Sequence, residues 1–548
     1  MHQLFLRFRS KHLATRRERA KVGLPFMKTH YLLIAFVVAL VTLPTKLLAA
    51  TPRQQLYAKA SNTGMNDTFG YAVALSEDTM VVGAPSEASS AAGVNGNEND
   101  NGAPNSGAAY VFVRNGSNWL QQAYLKASNS GMGDSFGYRV AIDGDTIVIG
   151  AHQEDSRAVG VNGDGGDNGA GDSGAAYVFV RNGTNWTQQA YLKASNTGAN
   201  DLFGRAVAVS GDTVVIGANQ ESSSAVGVNG NQNDNSAAMA GAAYIFVRNG
   251  TNWNQQAYVK ASNTEVNDQF GMRVAISRDT VAISAWREDS SAIGVNGNQA
   301  DNSAHNSGAV YVFVRDGVNW SQQAYLKPSN TGADDYFGIS LALSDNTIVV
   351  GSYLEDSGAR AVNGNGLDNT APDAGAAYVF VRDGVSWTQQ AYLKPANAGA
   401  NDWFGFSVAL SGDIAVIGAP QESSNAVGVN GNGNDDSAIN SGAAYTFVRS
   451  GTNWIQQAYL KASNASAGDE FGWTVAISGD TAAAGAYRED SSATGMNGDE
   501  SNNNVPDSGA AYVFAALTER PQLAILPDGS GGYFIRASAT AGSVYEWQ

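Results

Sequence analysis

The chain has 548 residues and no cysteine. That excludes disulfides and a cysteine nucleophile, so a fold outside the cell would have to be held by its packed core alone. Histidine is nearly absent too. Three of the five lie in the first 50 residues, leaving only His152 and His305, far apart in sequence. Long apolar runs are missing apart from Tyr31 to Leu43, and thirteen residues are short for a membrane span. Basic residues are scarce, 33 against 50 acidic ones.

The first 50 residues differ from the rest. They hold nine Lys or Arg and one acid; without them, 24 basic face 49 acidic residues, a net −25. A surface so acidic argues against nucleic acid or an anionic membrane as partner. Met27-Lys28 precedes the apolar run, and Leu48-Ala49-Ala50 offers a cleavage site, so residues 1–50 read as a leader with a signal peptide starting at Met27. The expectation is an exported protein, secreted, at the cell surface or periplasmic, without a transmembrane anchor. An uncleaved anchor is the alternative.

What is abundant is repetition. Phe69-Gly70 returns at Phe136-Gly137, Phe203-Gly204, Phe270-Gly271, Phe337-Gly338, Phe404-Gly405 and Phe471-Gly472, always 67 residues on. Each unit predicts four short strands: Phe69 to Ser76, Thr79 to Ala84, Ala109 to Arg114 and Gln121 to Ala127. Glu77-Asp78 and Asn115-Gly116 supply the tight turns between them. Four antiparallel strands repeated radially make a propeller blade. The seventh unit stops after Tyr512-Val513-Phe514 without a fourth strand, while Gln54 to Ala60 is a fourth strand with no unit before it. The fold expected for residues 51–515 is therefore all-β, a seven-bladed β-propeller of four-stranded antiparallel blades closed by the N-terminal strand, and monomeric. Residues 516–548 read as a β-rich tail with strands at Gln522 to Leu526, Tyr533 to Ala537 and Ser543 to Trp547. It suggests either the opening of a small β-sandwich cut short or a strap against the disc.

Phe69-Gly70, then Gly83-Ala84-Pro85, then Gly107-Ala108-Ala109-Tyr110-Val111-Phe112 resembles the FG-GAP repeats of the integrin alpha-chain propeller and its bacterial relatives. Only Gly83-Ala84-Pro85 and Gly418-Ala419-Pro420 spell the second motif in full. The resemblance spans residues 54 to 514 and implies an extracellular binding platform of the adhesion type. Integrin-type repeats hold their cation loop between the first two strands. Here that connection is only Ser76-Glu77-Asp78-Thr79, too short to wrap an ion, so that metal site does not carry over.

The long connections, Ser61 to Thr68 and Ser86 to Gly107, fall on one face of the disc. The longer one repeats Glu87, Asn95, Asn97 and Asp100 as Glu154, Asn162, Asp164 and Asp167, and as Glu221, Asn229, Asn231 and Asp234. Oxygen donors around a turning glycine suggest calcium. They equally suggest Asx side chains bonding their own backbone. Asp67, present in every copy, reads mainly as a loop cap.

Positions that vary among near-identical copies mark a candidate ligand site. Those flanking Phe-Gly read Thr68/Tyr71, Ser135/Tyr138, Leu202/Arg205, Gln269/Met272, Tyr336/Ile339, Trp403/Phe406 and Glu470/Trp473. The one closing the second strand reads Pro85, His152, Asn219, Trp286, Tyr353, Pro420 and Tyr487. All should gather at the long-loop end. Trp286, Tyr353 and Tyr487 are expected to be exposed and, with Trp403, His152 and Arg205, to bind an extracellular protein or glycan. Phe406 and Trp473, in phase with the core phenylalanines, are expected to fill space between blades. The runner-up is a carbohydrate-acting lyase or glycosidase, though nothing marks a pair of carboxylates in unlike environments. A purely structural surface module is the third reading.

Overall fold

The structure is a computed structural model that describes residues 52–515 and 517 in full, together with the backbone of three later strands. The expected leader lies outside the described residues. Blade 1 consists of Ala72–Ser76, Thr79–Ala84, Ala108–Asn115 and Asn118–Leu125, paired in that order and antiparallel. Five more four-stranded sheets follow the same plan. The seventh takes Thr474–Ser478, Thr481–Ala486 and Ala510–Ala515 from the end of the repeat region and Arg53–Ala58 from its start. The first strands of successive blades pack on one another around the complete circle, blade 7 on blade 1 included, so they surround a central channel. This is a closed seven-bladed β-propeller.

Two boundaries depart from expectation. The first strand opens at Ala72, not Phe69, in blade 1 and within a residue of the matching place in every blade but the fourth, which runs from Phe270 to Ser277. Gly70, with a φ of 88°, bends the chain there; Gly271 of blade 4 has the same φ, and its longer strand passes the bend by a register shift between Phe270 and Val274. The last hairpin turns on Gly116-Ser117, since Asn115 pairs with Asn118.

The repeated motif has a packing reason. A Cβ on Gly83 would run into the carbonyl oxygen of Gly137 in the next blade, and one on Gly70 into that of Ala510 in the preceding blade. The Phe-Gly of each blade thus beds backbone to backbone on its neighbour. Phe69 itself is fully buried against Tyr110 and Phe112, ring centroids 5.3 and 6.1 Å away, in a core that includes Ala483 and Val513 of blade 7. A fully buried phenylalanine contributes about 2–3 kcal/mol, repeated here at every blade boundary.

The recurring tryptophans are structural. Trp186 Nε1 donates to Gln122 Oε1 of the previous blade at 2.8 Å, and Trp253, Trp320, Trp387 and Trp454 do likewise. Gln122 can reach out because a bulge lies opposite Val111 and Phe112. At the closing seam, Trp119 Nε1 and Gln55 Oε1 are both buried without partners. In the tail, Gln522–Pro527, Tyr533–Ser538 and Val544–Trp547 form a three-stranded antiparallel sheet. No helix among the described residues is long and apolar enough to cross a membrane.

Candidate functional site

The long-loop face is built on a buried polar cluster, once per blade. Lys126, fully buried, places Nζ 2.9 Å from Glu87 Oε2 and 2.7 Å from Ser106 Oγ. Glu87 Oε1 accepts from Tyr124 and Asn62, both at 3.0 Å, and Asn62 Oδ1 accepts from Tyr110. The Lys–Glu separation is 2.7 to 3.0 Å in all seven blades. In blade 7, Lys59 and Tyr57 of the N-terminal strand reach Glu489. Burial lowers the Lys126 pKa, and Glu87 opposes that shift. The sequence signal was Tyr-x-Lys at the end of each fourth strand, a lysine kept in register with a glutamate where neighbours are apolar.

This corrects the reading of Glu87, Glu154 and Glu221 as loop calcium ligands. Their carboxylates are 1 % exposed and committed to Lys126, Lys193 and Lys260. The remaining members shape the loop. Asn95, Asn162 and Asn229 sit at φ of 54–55° and accept from the backbone of Tyr124, Tyr191 and Tyr258. Asn97 accepts from Asn99 N, Asp164 from Gly166 N and Asn231 from Asn233 N. Asp100 bonds Ser90 and Gly102, and Asp234 bonds Ser224 and Ser236; Asp167 lies exposed in its loop. Among the described residues no group of three or more acidic or histidine side chains is placed to hold a metal. Asp134 caps its loop by accepting from Gly131 N at 2.8 Å, and five of its counterparts do the same.

Above these clusters the variable positions meet at the channel mouth. Trp286 packs on Tyr336 (5.0 Å between centroids), Tyr336 on Tyr353 (5.9 Å), and Tyr353 on Trp403 and Phe406 (5.3 and 5.7 Å). Phe406 continues to Trp473 (4.5 Å), Trp473 to Tyr487 and Tyr71 (4.6 and 5.6 Å), Tyr71 to Tyr138 (5.1 Å) and Tyr138 to His152 (3.9 Å). One aromatic belt therefore runs through blades 4, 5, 6, 7, 1 and 2. All six residues expected to bind ligand lie on it or at its ends. Trp286, Tyr353, Tyr487 and Trp403 are half-buried in it; His152, 8 % exposed, and Arg205 lie at its blade 2 and 3 end.

Phe406 and Trp473 are corrected: they are half-buried members of the belt, outside the inter-blade cores. The positive φ of Gly405 and Gly472 interrupts the alternation that would have carried them inward. Two arginines were missed. Arg139 and Arg273 stand where the other blades carry Ala72, Ala206, Ser340, Ser407 and Thr474, a size change that marks them. Arg139 Cζ lies 5.6 Å from the Tyr71 centroid and 4.7 Å from that of Tyr138, and Arg205 Cζ lies 4.5 Å from Tyr138. Burial and the Arg139 charge hold His152 down to about 3, so its ring is neutral. On the other side of the mouth, Glu470 pairs with Arg488 at 3.4 Å, and burial raises its pKa in spite of that partner. His305 sits with the exposed Asp334, outside the belt.

A family model described as the FG-GAP repeat matches residues 53–112, 119–179, 186–246, 253–313, 320–380, 387–447 and 454–514. The chain belongs to the FG-GAP repeat family. The matched segments coincide with the seven blade periods, so each FG-GAP repeat begins on the fourth strand of one sheet and ends on the third strand of the next. No curated protein matches the chain. The FG-GAP propeller suggests a binding or structural module.

Proposed function

We propose that this FG-GAP propeller is an exported adhesion-type module that binds an extracellular protein or glycan through its long-loop face. The observation that carries the reading is the belt, where residues that differ from blade to blade converge on one opening while the surrounding scaffold stays constant. Half-buried aromatic rings on a rigid rim offer large contact area at little ordering cost. At the mouth the Glu470 carboxylate is already tied to Arg488, a fixed pair that suits recognition. A glycan array and a pull-down with the purified full chain test the reading. Capture of a ligand that is lost in Trp286→Ala/Tyr353→Ala/Tyr487→Ala supports it; capture unaffected by that variant would move the site elsewhere.

A further inference from the structure

Three guanidinium groups converge at the mouth without a counter-ion. Arg139, Arg205 and Arg273 come from adjacent blades 2, 3 and 4: Arg139 opens its first strand, Arg205 directly precedes Ala206–Ser210, and Arg273 lies within the longer Phe270–Ser277. Among the described residues none of them makes an ion pair, although other arginines do, as Arg114 with Asp78 at 2.6 Å. Arg139 and Arg273 each spend one Nη1 donor on a carbonyl at their own place in the chain, Tyr138 O at 2.9 Å and Met272 O at 3.0 Å. Arg205 Nε is buried with no acceptor at all, and so is Nδ1 of the adjoining His152.

The three charges also feel one another. Burial, then Arg139 and Arg205, depress the Arg273 pKa far below the usual guanidinium range. The alternate positions further along the channel offer no relief. They are alanines (Ala74, Ala141, Ala208, Ala275, Ala342, Ala409, Ala476), followed by serines and Asp143, whose carboxylate accepts from Gly211 N at the tight-turn end. A chain with an excess of acids has thus gathered three cations that no acid among the described residues answers. Such an arrangement is costly unless something negative completes it.

We propose that the blade 2–4 side of the channel mouth is an oxyanion site, in which Arg139, Arg205 and Arg273 hold the carboxylate or sulfate of an acidic sugar. This rests on the binding reading above and names its ligand chemistry. Guanidinium forks match a planar carboxylate or a sulfate edge with paired N–H donors. Arg139 and Arg205 are pre-oriented on the faces of Tyr71 and Tyr138, so little side-chain freedom is lost on binding. The belt continues from Tyr71 to Trp473 and Phe406, giving half-exposed ring faces beside the charges for the apolar side of a sugar ring. A sugar acid needs both features within one residue's span.

Calorimetric titration of the full chain with glucuronate, glucose, inorganic sulfate and an acidic peptide tests this. Glucuronate should bind, sulfate should compete with it, and glucose should give no heat. Arg139→Gln, Arg205→Gln and Arg273→Gln should each weaken glucuronate by about ten-fold or more, and Arg205→Lys should lose less than Arg205→Gln. Melting curves of the variants should match or exceed the parent, since each removes one of three mutually repelling, half-buried charges. Glucuronate binding that survives the triple Gln variant would overturn the site. Binding of the acidic peptide without glucuronate would overturn the sugar assignment. If the array or pull-down yields a ligand whose capture is indifferent to all three arginines, this proposal fails while the binding reading stands.

Discussion

Each buried Glu87 carboxylate has a lysine, a tyrosine and an asparagine around it, and removing one partner strands the rest. Lys126→Met should cost about 3–5 kcal/mol, the usual penalty for leaving a buried charge uncompensated, read as a lower urea midpoint. Replacing Lys126 and Glu87 together with apolar residues should cost less than Lys126→Met alone. The capping aspartates give a pH signature. Burial pushes Asp67, Asp134, Asp201, Asp335 and Asp402 up to about 7, and Asp268 and Asp469 to about 8. The folded ring then holds protons that the unfolded chain has released above its ordinary Asp value. Their stabilisation is full below that value and is lost as pH rises through 7 to 8. His152, held down to about 3, works the other way over lower pH, but it is a single group. The melting temperature should therefore fall between about pH 5 and about pH 8, and Asp134→Asn should flatten that slope. A slope unchanged in several such variants would place the protons elsewhere.

At the level of the strand, the second strand was legible to the residue, because Thr79 to Ala84 is bounded by a turn and a glycine-alanine pair. The first was not, since hydrophobic alternation cannot see that Gly70 takes a left-handed φ. The same blind spot misplaced Phe406 and Trp473. The candidate ligand residues were legible as a set because repetition turns difference into signal; Arg139 and Arg273 were not, because their position is small in the other five blades and reads there as scaffold. The closing strand was legible from chain ends alone, and the structure adds what it carries. Deleting Pro52 to Ala60 removes the six-residue strand Arg53–Ala58, Tyr57 included, along with Lys59, stranding Glu489. The ring should lose most of its cooperative unfolding transition. Truncation after Arg520 should matter far less, because the tail's three strands pair among themselves. Equal melting temperatures for the two truncations would contradict this.

For the molecule as a whole, scaffold and site should separate in experiment. Trp286→Ala/Tyr353→Ala/Tyr487→Ala should change stability by less than about 2 kcal/mol, whereas Phe69→Ala should cost about 3–5 kcal/mol. Chelator and millimolar calcium should give the same melting temperature, because the loop oxygens are already held by protein donors; a calcium-dependent rise would restore the loops as metal sites. The seam between the chain's two ends has a further consequence in time. Tyr57 bonds Glu489 across 432 positions of sequence, so the ring's own first strand has its partner made almost last within the ring. Until then the early blades are an open arc, and their neighbour at the unfinished end could as well be a blade of another molecule. A second copy's N-terminal strand would fit the same gap, because the blades are near duplicates. Synthesis that stalls or runs crowded should thus yield linked rings, and dilution during refolding should suppress them.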